Sequence, residues 1–287
     1  MLPRVPWAIG LVLLSCATLS SNAQARSWQN LYAFGDSYTD SGAGYVDGNG
    51  PTAVVYLASD FNIPFTYAGS ADSSGKSLNF AVSDAKTGSS EGYWVRPAAG
   101  GNVEAARFGL GMRNQVQDFV ARVKSGAIRF SADTTIFFLA GGLNDAALPT
   151  ATTIRNLEDE IRELCGAGGR YFLVALMPTK IPAFSDVGQR LNPALAKIPD
   201  ELRTALPQAQ VAISKWGEYY DAVMDNPARY GLVNTMNLCA GRAVFGENPT
   251  PCPTPDRYFY YHDGHPSTAV HRIVAHEMER EFTEAFR

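Results

Sequence analysis

Ser37 stands in the stretch LYAFGDSYTDSG, positions 31–42, where an apolar run stops at Gly35 and a polar turn begins that holds Asp36, Ser37, Thr39, Asp40 and Ser41. A serine hydroxyl becomes a nucleophile beside a base whose pKa lies near neutrality, and imidazole is the side chain that supplies one. The chain has four histidines, His262, His265, His271 and His276. A serine–histidine pair must therefore draw its base from the far end of the sequence. His271 and His276 fall in a helical pattern, where a solvated or core histidine is the default, whereas His262 and His265 lie in the turn YYHDGHPS. The spacing of these histidines with Asp263 matches no familiar metal site, so no metal is expected.

These positions need elements to hold them. Leu31–Phe34 reads as an apolar strand, which puts Ser37 at a strand end, where ligands and catalytic groups collect in an open α/β sheet. Ala53–Phe61 reads as a helix ended before Pro64, Leu78–Val82 as a short strand, and 83–109 as a long irregular segment of the kind that lines or covers a pocket. Within 111–124, apolar residues at Met112, Val116, Phe119, Val120 and Val123 keep a helical period. Thr134–Ala140 is a buried strand followed by Gly141, Gly142, Leu143, Asn144 and Asp145. A helix over Thr153–Cys165 then leads to a second buried strand, Tyr171–Met177, closed by Pro178. The pattern predicts a helix from Pro199 to Met224 broken near Pro207, a last short strand over Gly231–Thr235 and a terminal helix over Ser267–Phe286. Near-continuous apolar strands alternating with helices argue a parallel sheet covered on both faces, a three-layer α/β/α domain occupying 26–287.

With 287 residues, 46% hydrophobic and 18% charged, the chain can bury a substantial core. Its net charge is −4 and Lys and Arg form no cluster, which leaves no electrostatic footprint for nucleic acid. Arg4, the apolar run Ala8–Leu19 and the small-residue site Ala23-Gln24-Ala25 read as a secretory signal peptide, 1–25, cut before Arg26. A lipoprotein signal using Cys16 is the competing reading. No later run is long and apolar enough to span a bilayer, so a secreted or periplasmic monomer without stable membrane insertion is expected. Export leaves Cys165, Cys239 and Cys252 in an oxidising compartment. Cys239 and Cys252 bracket a loop rich in Gly, Pro and Asn, where a cross-link contributes about 3 kcal/mol of order that packing cannot. Cys165, on the apolar side of a helical pattern, reads as a buried thiol.

Four short blocks occur in a telling order: Gly35-Asp36-Ser37 with Asp40, Asn79-Phe80-Ala81, Gly142-Leu143-Asn144-Asp145 and His265-Pro266. Together they resemble the GDSL, or SGNH, family of esterases and lipases. The resemblance implies a flavodoxin-like sheet, Ser37 as nucleophile, His265 as base, and an oxyanion hole made by the Ser37 amide, an amide of the second block and Asn144 beside Gly142. Two positions depart from the pattern. Asp84 stands where the family usually has glycine; a backbone donor tolerates that exchange, since Asp adopts left-handed backbone better than most residues, provided its charge points away. The acid expected three residues before the histidine is replaced by His262, and the nearest carboxylate is Asp263. Helical periodicity would aim Asp263 away from His265. A main-chain carbonyl orienting His265 in a serine–histidine dyad is therefore preferred to Asp263 or His262 as third member.

The expected function is a secreted serine ester hydrolase that works through an acyl-enzyme on short acyl or acetyl esters, saccharide esters included, with no cofactor. A lipase, phospholipase or acyltransferase of the same architecture is the alternative, and a non-catalytic binding protein on this fold is the alternative from another class. Intact-mass measurement of the exported protein is expected to place its first residue at Arg26. A diacylglycerol adduct on Cys16 would instead establish the lipoprotein reading.

Overall fold

A computed structural model describes residues 27–42, 44–96 and 105–286. The expected leader, with Cys16 and the cleavage site, lies outside the described residues. In chain order the elements are β1 (Asn30–Gly35), α1 (Ala53–Asp60), β2 (Phe65–Tyr67), β3 (Ser77–Asn79), β4 (Glu91–Val95), β5 (Ala106–Leu110), α2 (Met112–Lys124), β6 (Thr135–Ala140), α3 (Thr150–Gly166) and β7 (Tyr171–Ala175). There follow α4 (Ser185–Leu195), α5 (Ile198–Arg203), β8 (Gln210–Ser214), α6 (Trp216–Asp225), β9 (Tyr260–His262), β10 (His265–Pro266) and α7 (Thr268–Glu284).

Six strands form one parallel sheet in the order β2-β3-β1-β6-β7-β8. The central strands β6 and β7 are buried along their whole length, which is why TIFFLA and YFLVA read as unbroken apolar runs. Alternation along β6 shows the two covering layers. Phe137 packs edge-on against Phe119 of α2, while its neighbour Phe138 meets Trp216 of α6 and Phe282 of α7. Helix α3 lies beside α2, and α1 and α6 lie beside α7. The result is the three-layer α/β/α arrangement that the alternating pattern implied. Among the described residues, no helix is long and apolar enough to cross a membrane.

Three segments differ from the sequence reading. The expected long helix over 199–224 is α5, then β8, then α6: Val211 and Ile213 are β-branched, and a parallel ladder with β7 from Tyr171–Gln210 to Ala175–Ser214 outweighs local helical preference. Gly231–Thr235 does not join the sheet; Asn234 makes an isolated bridge to Tyr258. The segment 83–109 is not wholly irregular, since β4 and β5 pair antiparallel within it, Tyr93 opposite Phe108.

Helix α7 carries His271 inward, where its Nδ1 lies 2.8 Å from the Tyr220 hydroxyl. Burial pushes this imidazole down to about 3, so the folded protein keeps it neutral. An unfolded chain binds a proton there below about pH 6.5 and the folded one does not, so stability is lost as pH falls from about 6.5 toward 3. Relative to a His271→Gln variant, the wild type should lose about 1.4 kcal/mol per pH unit in that window. Urea-unfolding free energies at pH 7, 5 and 4 test this; parallel curves for the two proteins would contradict it.

Candidate active site

Three adjacent strands, β3, β1 and β6, deliver three of the sequence blocks to one edge of the sheet. Because β1 sits between a neighbour reached on one side and a neighbour reached on the other, its carboxyl end is a topological switch point, where loops diverge and leave a crevice. Gly35 closes β1 against β6 so tightly that a Cβ there would stand 2.4 Å from the Ala140 carbonyl oxygen. Gln115 of α2, buried, clamps the same residue: it accepts from the Gly35 amide at 3.0 Å and donates to the Gly35 carbonyl at 2.9 Å. Ser37 therefore leaves from a fixed base.

Buried polar side chains tie the three loops together. Asn79 donates to the Thr39 carbonyl at 2.6 Å and to the Ser41 hydroxyl at 2.9 Å. Asp40 accepts from the Ser83 amide at 2.8 Å, and the Ser83 hydroxyl, 3.0 Å away, lies between Asp40 and Asp47 with one hydrogen for the two carboxyl groups. Asp145 accepts from the Thr87 hydroxyl at 2.6 Å and the Thr153 hydroxyl at 2.8 Å, which joins the third block to the second. Asp36 is wholly buried and accepts from the Tyr38 amide at 3.2 Å. Burial pushes its carboxyl up to about 8, and that of Asp40 up to about 6. Asp36 is thus protonated at neutral pH and adds no full charge beneath Ser37.

The second and third blocks supply donors. Asp84 has φ +62, a left-handed conformation that Asp tolerates, and its exposed carboxylate accepts from the Tyr93 hydroxyl at 3.0 Å. Neither the Ser37 nor the Asp84 amide has a hydrogen-bond acceptor among the described residues. Asn144 spends one amide hydrogen on the Ala85 carbonyl at 3.0 Å, which holds the side chain beside the Asp84 peptide and leaves the other hydrogen to donate. Gly142, at φ +133, has its Cβ position 3.0 Å from Leu191 and serves as the turn that presents Asn144. Donors of this kind stabilise a tetrahedral oxyanion.

The histidine turn is a hairpin, not a helical turn. His262 pairs with His265 across β9 and β10, and Asp263-Gly264 forms the connection, with Gly264 at φ +68 where an L residue is strained. The Tyr38 hydroxyl donates to the Gly264 carbonyl at 2.7 Å, and the Tyr38 ring lies 5.8 Å from the His265 ring, so the residue after Ser37 holds the turn that carries the imidazole. His265 Nδ1 is 2.6 Å from the Asp263 main-chain oxygen. Donation there fixes the tautomer with a bare Nε2, the one that can accept a serine proton. The Asp263 carboxylate is exposed. His262 instead lies buried with Nδ1 3.1 Å from the Ala240 carbonyl, and burial pushes its pKa down, so it is neutral and no substitute for an acid.

Sequence reasoning missed three contributors: Gln115, Asp47 and Arg242. Gln115 gave a signal, being polar on the apolar face of α2 between Met112 and Phe119. Asp47 gave none, because YVDGNG reads as any solvated turn. It is buried, takes a hydrogen bond from the Ser83 hydroxyl, pairs with Arg242 at 3.2 Å, and has Oδ1 3.8 Å from His265 Nε2. Arg242 comes from the loop that the Cys239–Cys252 disulfide closes, and that loop also receives the His262 hydrogen bond. Cys165 is free and buried. Beside the loop after Ser37, a cavity of about 540 Å³ is lined by Asp40, Tyr45, Tyr67, Trp94 and Arg107 among others.

Comparison with known proteins gives a consistent set of matches. A family model described as GDSL-like lipase/acylhydrolase matches residues 31–278. A GDSL esterase/lipase of Arabidopsis thaliana is 21% identical over 359 residues, covering 95% of this chain and 92% of its own. A second from Arabidopsis thaliana is 25% identical over 201 residues, with 55% of this chain and 52% of its own covered. Among solved structures, G-D-S-L family lipolytic proteins from Desulfitobacterium hafniense and Veillonella parvula superpose with TM-scores of 0.46 and 0.41 at 11% and 15% identity. They cover 88% and 89% of this chain and 98% of each of their own.

The geometry separates two roles at residue 263. With the carbonyl rather than the carboxylate facing His265, Asp263→Asn should lower kcat for an ester by less than roughly thirtyfold, whereas losing the true acid of a triad costs about ten-thousandfold. Asp84→Gly should stay within a few-fold of wild type because glycine accepts φ +62, and Asp84→Val should lose far more. Steady-state kinetics on a chromogenic acetate measures all three; a thousandfold loss in Asp263→Asn would make its carboxylate the third member.

Proposed function

We propose a mechanism from an established premise: this chain belongs to the GDSL-like lipase/acylhydrolase family, whose members are ester hydrolases with a serine nucleophile. The Ser37 hydroxyl attacks the ester carbonyl while His265 Nε2 takes its proton. The oxyanion that forms is held by the amides of Ser37 and Asp84 and by Asn144. His265 then protonates the departing alcohol, and in the second half of the cycle it activates water to release the acid from Ser37. The observation that carries this reading is that the neighbours of Ser37 tie its loop to the other blocks at one sheet edge: Tyr38 to the His265 hairpin and Asp40 to Ser83, which precedes Asp84, while Asn144 bonds to Ala85.

The substrate we propose is an ester of a short acyl group, with acetylated saccharides within the class, hydrolysed outside the cytoplasm by a monomer formed from the single domain 26–287. Ser37, Asn144 and His265 do not line the cavity beside the Ser37 loop, but its aromatic faces and Arg107 lie next to that loop and suit a polar alcohol part reaching out from the serine. One observation favours a second reading, a lipase or phospholipase. Tyr93 and Trp94 on β4 are 51% and 59% exposed, and Tyr93 bonds to the Asp84 carboxylate, so this is a surface beside the site that a lipid would cover.

Ser37→Ala should abolish hydrolysis, on the order of a millionfold, with the fold intact. Asn144→Ala should lose roughly a hundredfold to a thousandfold in kcat, as removal of one of several oxyanion donors does. A serine variant that keeps a tenth of the activity would end the proposal. In a series of 4-nitrophenyl esters from acetate to palmitate, kcat/KM should be greatest for the short acids; a maximum at long chains would select the lipase reading.

A further inference from the structure

The serine–histidine reading leaves a positive charge without a named partner. When His265 takes the Ser37 proton it becomes an imidazolium, and among the described residues its Nδ1 has the neutral carbonyl of Asp263 as its hydrogen-bond partner. Position 262, where an acid would stand, offers a neutral histidine turned toward Ala240. Another carboxylate approaches from the opposite side of the ring.

We propose that Asp47 is the carboxylate that stabilises the His265 imidazolium, held for that task by Arg242 of the disulfide loop. This inference rests on the Ser37–His265 reading given above. The separation of 3.8 Å between Asp47 Oδ1 and His265 Nε2 exceeds hydrogen-bonding reach, so the carboxylate does not take Nε2 away from the serine proton. Charge acts over that distance nonetheless, because attraction falls only as the inverse of separation and Asp47 lies with 5% of its side chain exposed. Asp47 is a positioning residue: it touches neither substrate nor the reacting bond, and no proton moves to it.

Its placement is fixed from several sides. Arg242 Nη1 stands 3.2 Å from Oδ1, and the Ser83 hydroxyl donates to Oδ2. Two residues on, Asn49 accepts from the Thr268 amide at 2.8 Å, at the start of the helix that directly follows His265-Pro266. The loop that carries Asp47 and the hairpin that carries His265 are thereby joined at a second point. Other ionisable groups around the ring contribute less. His262 across the hairpin and His271 beneath it are held neutral by burial, the Asp263 carboxylate points to solvent, and Tyr38 lies against the ring as a neutral phenol. Asp40 lies on the far side of Ser83 from Asp47. The Asp47–Arg242 pair is therefore the charge pair that sets the field at Nε2.

The two members of that pair should move the acidic limb of the activity profile in opposite directions. In a profile of kcat/KM against pH for 4-nitrophenyl acetate with the full enzyme, Asp47→Asn should shift the acidic limb down by about one pH unit, since a lost anion disfavours the imidazolium. The same variant should lose roughly ten- to a hundredfold in kcat with KM nearly unchanged, and Asp47→Glu should recover part of it. Arg242→Gln should shift the limb up by about half a unit, since a cation that offsets Asp47 is gone. A purely structural role for the pair predicts lower activity without opposed shifts. Limbs that coincide with wild type, or that move in the same direction in both variants, overturn the proposal. If Asp47→Asn does not fold, the Arg242→Gln limb decides alone, upward for the proposal and unmoved against it. Ser37→Ala or His265→Ala retaining activity would signal failure of the underlying serine–histidine reading instead.

Discussion

A parallel sheet has no hairpin turns along its carboxyl edge, so the loops that leave β3, β1 and β6 have only their own polar groups to hold them in mutual register. Asn79, Asp40 and Asp145 do this from inside the protein, each reaching from one loop to the next. A buried polar group left without a partner costs about 1–3 kcal/mol, so every one of these bonds makes its neighbours necessary. The donors that face the crevice owe their positions to this network. Asn144 hangs from Ala85, Ala85 follows Asp84, and Ser83 before it is bonded to Asp40 in the loop of Ser37.

Burial also decides which groups at this edge carry charge. Asp36 is kept protonated, and His262 and His271 are kept neutral, so the region around Ser37 holds fewer charges than its composition suggests. Where few charges remain and the groups are buried, each acts strongly. Two separate functions of a triad acid, fixing the tautomer and balancing the imidazolium, are thereby divided here. The Asp263 carbonyl serves the first through a two-residue turn, and the second falls to a carboxylate far away in sequence.

Much of this was legible in the chain. Ser37 at a strand end, the late histidines, Asn144 after a buried strand and the cysteine-bracketed loop could all be read from residue type and local pattern. The left-handed backbone at Asp84 was suggested only by the family resemblance, which has glycine at that position. The histidine turn was legible in principle, for Asp263-Gly264 between paired aromatic and polar residues is a hairpin signal, but helical periodicity carried over from α7 obscured it. Strand β8 was hidden because a short edge strand flanked by helices has too few residues to break a helical pattern. Asp47 could not be found at all: its partners Ser83, Arg242 and His265 come from three distant segments, and only tertiary packing brings them to one turn.

Proton transfer from Ser37 depends on which nitrogen of His265 holds the proton in the resting enzyme. Long-range proton–nitrogen NMR of a ring-labelled sample, recorded at alkaline pH, reads this directly. A protonated Nδ1 with a bare Nε2 is the predicted pattern, since the Asp263 carbonyl can only accept. A resting tautomer with the proton on Nε2 would contradict it, because that ring could not take the proton of Ser37.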